Sequence, residues 1–252
     1  MARAAIISDI HGNREALESV LADIDRQGIE EIHCLGDIVG YGPDPVACVD
    51  IVRERCKIVI CGNHDQAIFK GAWGFRPVAS DAIDWTRGVL RPRFFKPGAR
   101  RRWEYLGSLP LTERWEGFLL VHGSPRQPTE EYIMPAHASW PPPGMFEEIF
   151  ELVEGVCFVG HTHYAGVFVE GPRFTPQGEI RDTFRSEGRK LLINVGSVGQ
   201  PRDRDPRSCY LTVDEDAFLF RRVEYPVEVT QRKIRSIPAL HNHLADRLGA
   251  GE

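Results

Sequence analysis

Residues 3 to 61 alternate short apolar runs with stretches of helical periodicity. The run "RAAIIS" has strand length, and after it Ala16, Leu17, Val20, Leu21 and Ile24 recur at the spacing of one helix face. Asn13 is placed to cap that helix and Gly28 to end it. A second strand is predicted over "EIHCL", a second helix over "DPVACVDIVRER" with Asp44 as cap and Pro45 at its first position, and a third strand over "KIVIC". This rhythm predicts βαβ units on a parallel sheet. Each strand runs into a loop holding Asp, His or Asn, on the side where open α/β sheets place their ligands.

Residues 66 to 115 break the pattern. They hold Trp73, Trp85 and Trp103, a helical segment beginning near Ser80, and the basic stretch "RPRFFKPGARRR", and they predict a helical insertion or cap. The strand-then-loop pattern resumes with "FLLVHGSP" at 118 to 125. A helix is predicted over about 143 to 154, with Phe146, Ile149, Phe150 and Val153 on one face, followed by the strand ending in "CFVGH". The "PPP" at 141 to 143 is a loop and helix boundary. From 166 onward strand signals crowd together in "GVFVE", "RDTFR", "KLLINVG", "SCYLTVD" and "AFLFRRVEY", predicting a second, mostly antiparallel or mixed sheet. A polar helix is expected from about Val227. The whole reads as one α/β domain.

Composition narrows the class. At 252 residues, 42% hydrophobic and 27% charged, the chain is an ordinary globular protein with ample material for a core. A net charge of -5 gives no reason to expect nucleic-acid or membrane partners, and the basic stretch reads as a solvated surface. The six cysteines lack C-x-x-C spacing and mostly sit in apolar runs, as buried free thiols of a reducing compartment do. "MARAAIISDIHGN" lacks a signal-peptide core, and a cytoplasmic location is expected.

Polar residues at the ends of apolar strands carry the chemistry: Asp9 and His11, Asp37, Asn63 and His64, His122, and His161 and His163. Singly, each has a dull reading as a cap, a turn or a satisfied core histidine. Five strand-end loops with ligand types of borderline metals instead suggest one convergent site. Imidazole, carboxylate and amide oxygen without thiolate suit Mn, Fe, Zn or Ni, and the histidines exclude an oxygen-only calcium cage. So many ligands exceed the needs of one ion. Two ions about 3.5 to 4 Å apart sharing one carboxylate would use them, an arrangement suited to in-line displacement at phosphorus.

The blocks "D-x-H" at Asp9 to His11, "G-D" at Gly36 and Asp37, "G-N-H-D" at 62 to 65, the lone His122 and "G-H-T-H" at 160 to 163 resemble, in order, those of the calcineurin-like metallophosphoesterases. The resemblance runs from residue 9 to about 200, and "INVGSVGQPRD" is similar to the segment following the last ligands in the small bacterial and archaeal phosphodiesterase branch. It implies a four-layer αββα sandwich, two mixed sheets flanked by helices. It further implies two divalent ions, Mn or Fe in first place with Zn or Ni as alternatives. Asp9, His11 and His163 would hold one ion, Asn63, His122 and His161 the other, and Asp37 would bridge them. His64 would be the general acid, with Asp65 orienting its ring, and a hydroxide shared by the ions would attack. The implied activity is hydrolysis of a phosphodiester or nucleotide polyphosphate, a small-molecule substrate.

Two alternatives stand beside it, a non-catalytic scaffold of the same fold and a protein phosphatase. The run "GDIVGYG" lacks the arginine that protein phosphatases carry after the bridging aspartate, which speaks against the latter. Asn13, Tyr41, Arg126 and Arg202 are candidate substrate contacts, each with an ordinary structural reading as cap, turn or salt bridge.

Overall fold

The strand β1 (Ala4–Ile7) shows how the layers arise. Successive side chains of a strand point to opposite faces, and here both faces are apolar. Ala5 and Ile7 pack with Ala16, Leu17, Val20 and Ile24 of helix α1 (Arg14–Arg26) and with Cys48, Val49 and Val52 of α2 (Pro45–Arg55). Ala4 and Ile6 face the other way, into a cluster shared with a second sheet. A run buried on both faces therefore reads as continuously hydrophobic.

This computed structural model describes residues 3–93, 97–171, 173–181 and 183–252. Its first sheet has the order β3-β2-β1-β11-β12-β9, with β2 (Glu31–Cys34), β3 (Ile58–Val59), β9 (Phe184–Arg185), β11 (Ser208–Asp214) and β12 (Ala217–Val223). The second has the order β4-β5-β6-β10-β7-β8, with β4 (Thr112–Trp115), β5 (Phe118–Val121), β6 (Val156–Val159), β7 (Gly166–Val169), β8 (Arg173–Pro176) and β10 (Leu191–Asn194). β1, β2 and β3 run parallel, as do β5, β6 and β10, and antiparallel neighbours flank both groups.

The two sheets meet through Ile6, Phe158, Ile193, Leu211 and Phe218. On the far side of the second sheet, Cys157, Val159 and Leu192 pack under Phe146, Ile149 and Phe150 of α6 (Met145–Glu151). Helices, sheet, sheet and helix make the expected αββα sandwich. No described helix is long and apolar enough to cross a membrane.

Several boundaries differ from the sequence reading. The strands after 166 do not form a sheet of their own: β9, β11 and β12 extend the first sheet, and β7, β8 and β10 complete the second. The 66–115 segment contains α4 (Pro77–Leu90) and α5 (Ala99–Gly107), but closes with β4, an edge strand of the second sheet. An unanticipated helix α3 (Asn63–Lys70) runs into its start. The C-terminal region holds two helices, α7 (Val227–Arg235) and α8 (Asn242–Ala250). Ile234, Leu244, Ala245 and Leu248 from this pair pack with Ala82 of α4, so chain end and insertion meet in one cluster.

The Asp44 side chain does not cap α2, and its carboxylate accepts from Lys233 instead. In the basic stretch, Arg100 pairs with Glu104 and Arg102 with Asp50, while Phe94, Phe95 and Lys96 lie outside the described residues.

Candidate metal centre

The C-terminal ends of the parallel strands of both sheets converge on one edge, and the loops that leave them bond to each other. Gly160 donates its amide to the His122 carbonyl, Val198 to Ser8, and Gly199 to Asp9. Six residues in these loops hold left-handed backbone: Asp9, His11, Asp37, Tyr41, His161 and His163, with φ between 50° and 65°. Such conformations are uncommon outside glycine and gather at functional sites. They turn the chain sharply enough to aim both members of "D-x-H" and "H-T-H" at the same point.

Glycines make the close approach possible. A Cβ on Gly160 would lie 2.5 Å from Asp9 Oδ2, and one on Gly62 would run into the Asp37 carboxylate and amide. Any side chain there would push a carboxylate out of the site.

All seven predicted metal ligands come together, and all are buried. Asp9, His11 and His163 form one group, and Asp37, His122 and His161 another, with ligand atoms in each within 4.8 Å of one another. Asp37 Oδ2 lies 3.6 Å from His11 Nε2 and 3.4 Å from His122 Nε2, so it stands between them. Asn63 Oδ1 is 3.2 Å from His122 Nε2, which puts the amide on the second group's side. His11, Asp37 and His64 also bring ligand atoms within 4.8 Å of one another, so proximity alone does not separate His64 from the ligands.

Three of the rings are held by backbone carbonyls: His11 Nδ1 by Val39 at 3.2 Å, His122 Nδ1 by Leu35 at 2.8 Å and His163 Nδ1 by Gln200 at 2.5 Å. A carbonyl only accepts, so each Nδ1 carries the proton and, in the neutral ring, each Nε2 presents a lone pair. This outer anchoring is the usual arrangement for imidazoles that ligate metals. Its consequence is an electrostatic conflict. Two Nε2 lone pairs, of His11 and His163, face each other at 3.1 Å, with Asp9 Oδ1 also 3.1 Å from His163 Nε2.

A divalent cation resolves that conflict and fits the donor set of carboxylate, imidazole and amide oxygen. Orphaned buried atoms point the same way: Asp9 Oδ1 and His161 Nε2 have no hydrogen-bond partner among the described residues. Burial would raise the pKa of both aspartates, but the imidazoles around them dominate, chiefly His163 for Asp9 and His122 for Asp37. Both carboxyls are held below their usual range and ionised at neutral pH. These carboxylates and imidazoles could hold metal.

His64 stands beside this cluster, its ring edge-on to His11 with centroids 4.7 Å apart, and against Tyr41 at 4.5 Å and Phe75 at 5.0 Å. Its amide, at the start of α3, donates to Asp37 Oδ1 at 2.8 Å. Burial pushes the ring's pKa down to about 4, so the ring is neutral at pH 7. Asp65 does not orient it. The Asp65 carboxylate accepts from the amides of Ile38, Val39 and Gly62, while His64 Nδ1 has no partner among the described residues. Asp65 therefore braces the loop that carries Asp37, and packing against Tyr41, Phe75 and Gly40 fixes the imidazole.

Of the four candidate substrate contacts, two face the site. Tyr41 and Arg202 line a cleft of about 640 Å³ together with Asn63 and His161. Asn13 is consumed by the fold: its Oδ1 caps α1 at the Ala16 amide and accepts from Thr230, and its Nδ2 donates to the Gly199 carbonyl. Arg126 is held by Glu131 and Glu148 and is absent from the cleft lining.

The cleft adds residues that strand-end reasoning missed: Trp73, Phe75 and Arg76 from the insertion, Tyr132, whose ring lies 3.8 Å from that of His161, and Arg247 from α8. A tryptophan between Gly71 and Gly74 was the one local signal in the sequence. Nothing local marked Arg247.

A sandwich whose loops gather two carboxylates, an amide and several anchored imidazoles defines a metal-dependent hydrolytic centre of the phosphoesterase class. Residues 3–217 match the calcineurin-like phosphoesterase superfamily domain, and the chain belongs to that superfamily. It is 36% identical to the uncharacterised protein MJ0912 of Methanocaldococcus jannaschii, over 97% of this chain and 95% of that protein. Among solved structures it is similar to a metallophosphoesterase from Sphaerobacter thermophilus, at 36% identity and a TM-score of 0.81, covering 100% of this chain and 99% of the other. It also shares the fold of the hypothetical protein PH1004 from Pyrococcus horikoshii, at 23% identity and a TM-score of 0.75, covering 100% and 99%.

Proposed function

We propose that the chain is a phosphoesterase that uses two divalent cations, Mn²⁺ or Fe in the first instance, to hydrolyse a phosphodiester or a nucleotide polyphosphate. The observation that carries this reading is the pair of ligand groups meeting at Asp37, each with its own imidazoles. Cations held there supply positive charge that polarises a phosphoryl group and activates water.

The chain's own residues do the rest. The carbonyl anchors on His11, His122 and His163 hold their ligand atoms aimed without any rearrangement at the moment of reaction. Arg202, with no carboxylate side chain in ion-pair reach among the described residues, meets the phosphoryl oxygens in place of the arginine that "GDIVGYG" lacks. His64 faces the leaving group. Burial holds its ring neutral in the protein alone; carrying a proton taken from solvent as the anionic substrate binds, it would protonate the departing oxygen. A non-catalytic scaffold would have no use for a complete ligand set with a buried, unligated imidazole beside it.

The test is hydrolysis of bis-p-nitrophenyl phosphate by the purified protein with added Mn²⁺, run beside His64→Ala. The variant is expected to lose on the order of 10²–10⁴-fold in rate while elemental analysis shows metal still bound. Undiminished turnover in His64→Ala would remove His64 from the mechanism.

A further inference from the structure

The cleft carries more positive charge than one phosphoryl group requires. Arg76, Arg202 and Arg247 line it together, and among the described residues none of the three lies in ion-pair reach of a carboxylate side chain. Two other shielded arginines are paired, Arg102 with Asp50 and Arg222 with Asp203. Arg202 Nε is buried with no hydrogen-bond partner among the described residues, while its Nη2 donates to Gln200 Oε1 at 2.9 Å. Arg247 spends its Nε–H on the Glu252 backbone oxygen at 2.7 Å. Glu130 is the one acid in the lining among the described residues.

Arg202 lies next to the ligand cluster, its backbone amide 3.4 Å from the His163 carbonyl. Arg76 and Arg247 line the same cleft, Arg76 exposed at the entry to α4 and Arg247 half-buried on α8. Like charges held together and partly shielded are unfavourable in the protein alone. An extended anion relieves them.

The rest of the lining is aromatic. Trp73 is 88% exposed and supports no core cluster, yet it lines the cleft with Phe75, Tyr132 and Tyr164. An indole standing free beside a row of guanidinium groups suits a flat heterocycle attached to phosphate.

We propose that Arg247 and Arg76 form a second anion subsite, outward of Arg202, and that the cleft takes a nucleotide carrying two or more phosphate groups with its base against Trp73. This rests on the phosphoesterase reading and adds which substrates that site prefers. It also gives a role to α8, which lies beyond the residues matched to the superfamily domain.

Calorimetric titration with three probes tests it: adenosine 5′-(β,γ-methylene)triphosphate, adenosine 5′-monophosphate and inorganic tripolyphosphate. The native protein is expected to bind the triphosphate analogue at least about 10-fold more tightly than the monophosphate. Arg247→Ala should lose most of that ratio, Arg247→Lys should keep part of it, and Arg232→Ala, an exposed site on α7 outside the cleft lining, should keep all of it. Trp73→Ala should bring the analogue and tripolyphosphate to similar affinity. A ratio near one in the native protein, or an unchanged ratio in Arg247→Ala, overturns the subsite. Tripolyphosphate binding as well as the analogue in the native protein overturns the nucleotide assignment. If the ratio behaves as expected while bis-p-nitrophenyl phosphate resists hydrolysis with every metal, the subsite stands and the phosphoesterase reading falls.

Discussion

The floor of the cleft and its walls are built on opposite plans. On the floor, Asp9, His11, Asp37, His122, His161 and His163 are buried, and three of the four rings are pinned by carbonyls. The walls are helices α4, α7 and α8 joined through Ala82, Ile234 and Leu244; they and the turn before α4 present Trp73, Arg76 and Arg247 to solvent or to the cleft with no carboxylate side chain in ion-pair reach among the described residues. Lone pairs that must converge need a frame that cannot relax, because their repulsion would otherwise open it. Groups that meet a variable part of a substrate tolerate looser placement. Floor changes should therefore register as lost metal, and wall changes as altered affinity or small stability losses.

The largest effect is expected at the residue shared by both ligand groups. Asp37→Asn keeps the shape and removes the charge. Since altering even an outer partner of a metal ligand typically costs 10–100-fold in affinity or activity, this change should cost more than about 100-fold in hydrolysis and lower the bound metal measured by elemental analysis. Full metal content in Asp37→Asn would mean that Asp37 bridges nothing.

A finer division follows within the floor. His163 lies with Asp9 and His11, and His161 with His122 and Asp37. Thr162 between them is turned into the frame, its hydroxyl accepting from Asn194 Nδ2 at 2.8 Å. Replacing His161 by Ala should therefore empty the position beside Asn63 and His122, and replacing His163 should empty the one beside Asp9 and His11. Crystals of the two variants grown with Mn²⁺ would show which ion is missing; the same ion lost in both would merge the two groups into one.

The floor was legible in the sequence and the walls were not, for a physical reason. A polar residue directly after a buried strand is conspicuous, because its strand is apolar on both faces, and so Asp9, Asp37, Asn63, His122 and His161 stood out. Helix α3 escaped notice because its first turn is Asn63, His64 and Asp65, residues chosen for the site and not for a helical apolar stripe. The strand β4 escaped because an edge strand, "TERW", has little to bury. That β11 and β12 would extend the first sheet is a matter of long-range pairing, Ala5 opposite Thr212 for instance, which no local pattern records. Asp65 was read as a partner of its neighbour His64, but the left-handed turn at Asp37 leaves amides of residues 38 and 39 needing an acceptor, and Asp65 supplies it. Arg247 became a cleft residue only because α7 and α8 fold back onto α4.

The smallest effect is expected where the wall is fastened to the floor. Lys233 of α7 donates to Glu15 at 2.5 Å and Asp44 at 2.6 Å, and Thr230 donates to Glu15 at 2.9 Å. Burial alone would raise the pKa of Glu15, but its bonds from Lys233 and Thr230 outweigh that and hold the carboxyl below its ordinary value. A pKa depressed in the folded state means that the unfolded chain binds the proton first as pH falls. The stabilisation is thus complete above the ordinary carboxyl range and is lost as pH drops through and below it. Lys233→Met removes the donor but keeps the aliphatic stem. Because Lys233 is about one-third exposed (34%), the loss at neutral pH should be no more than about 1 kcal/mol. Between roughly pH 5 and pH 3 the variant's stability should fall less steeply than the native protein's in urea unfolding. Metal content should be unchanged, since the contact lies behind the site. Parallel acid profiles for the two proteins would show that the network does not hold the wall, and metal loss in Lys233→Met would show that floor and wall are not separable in the way their construction implies.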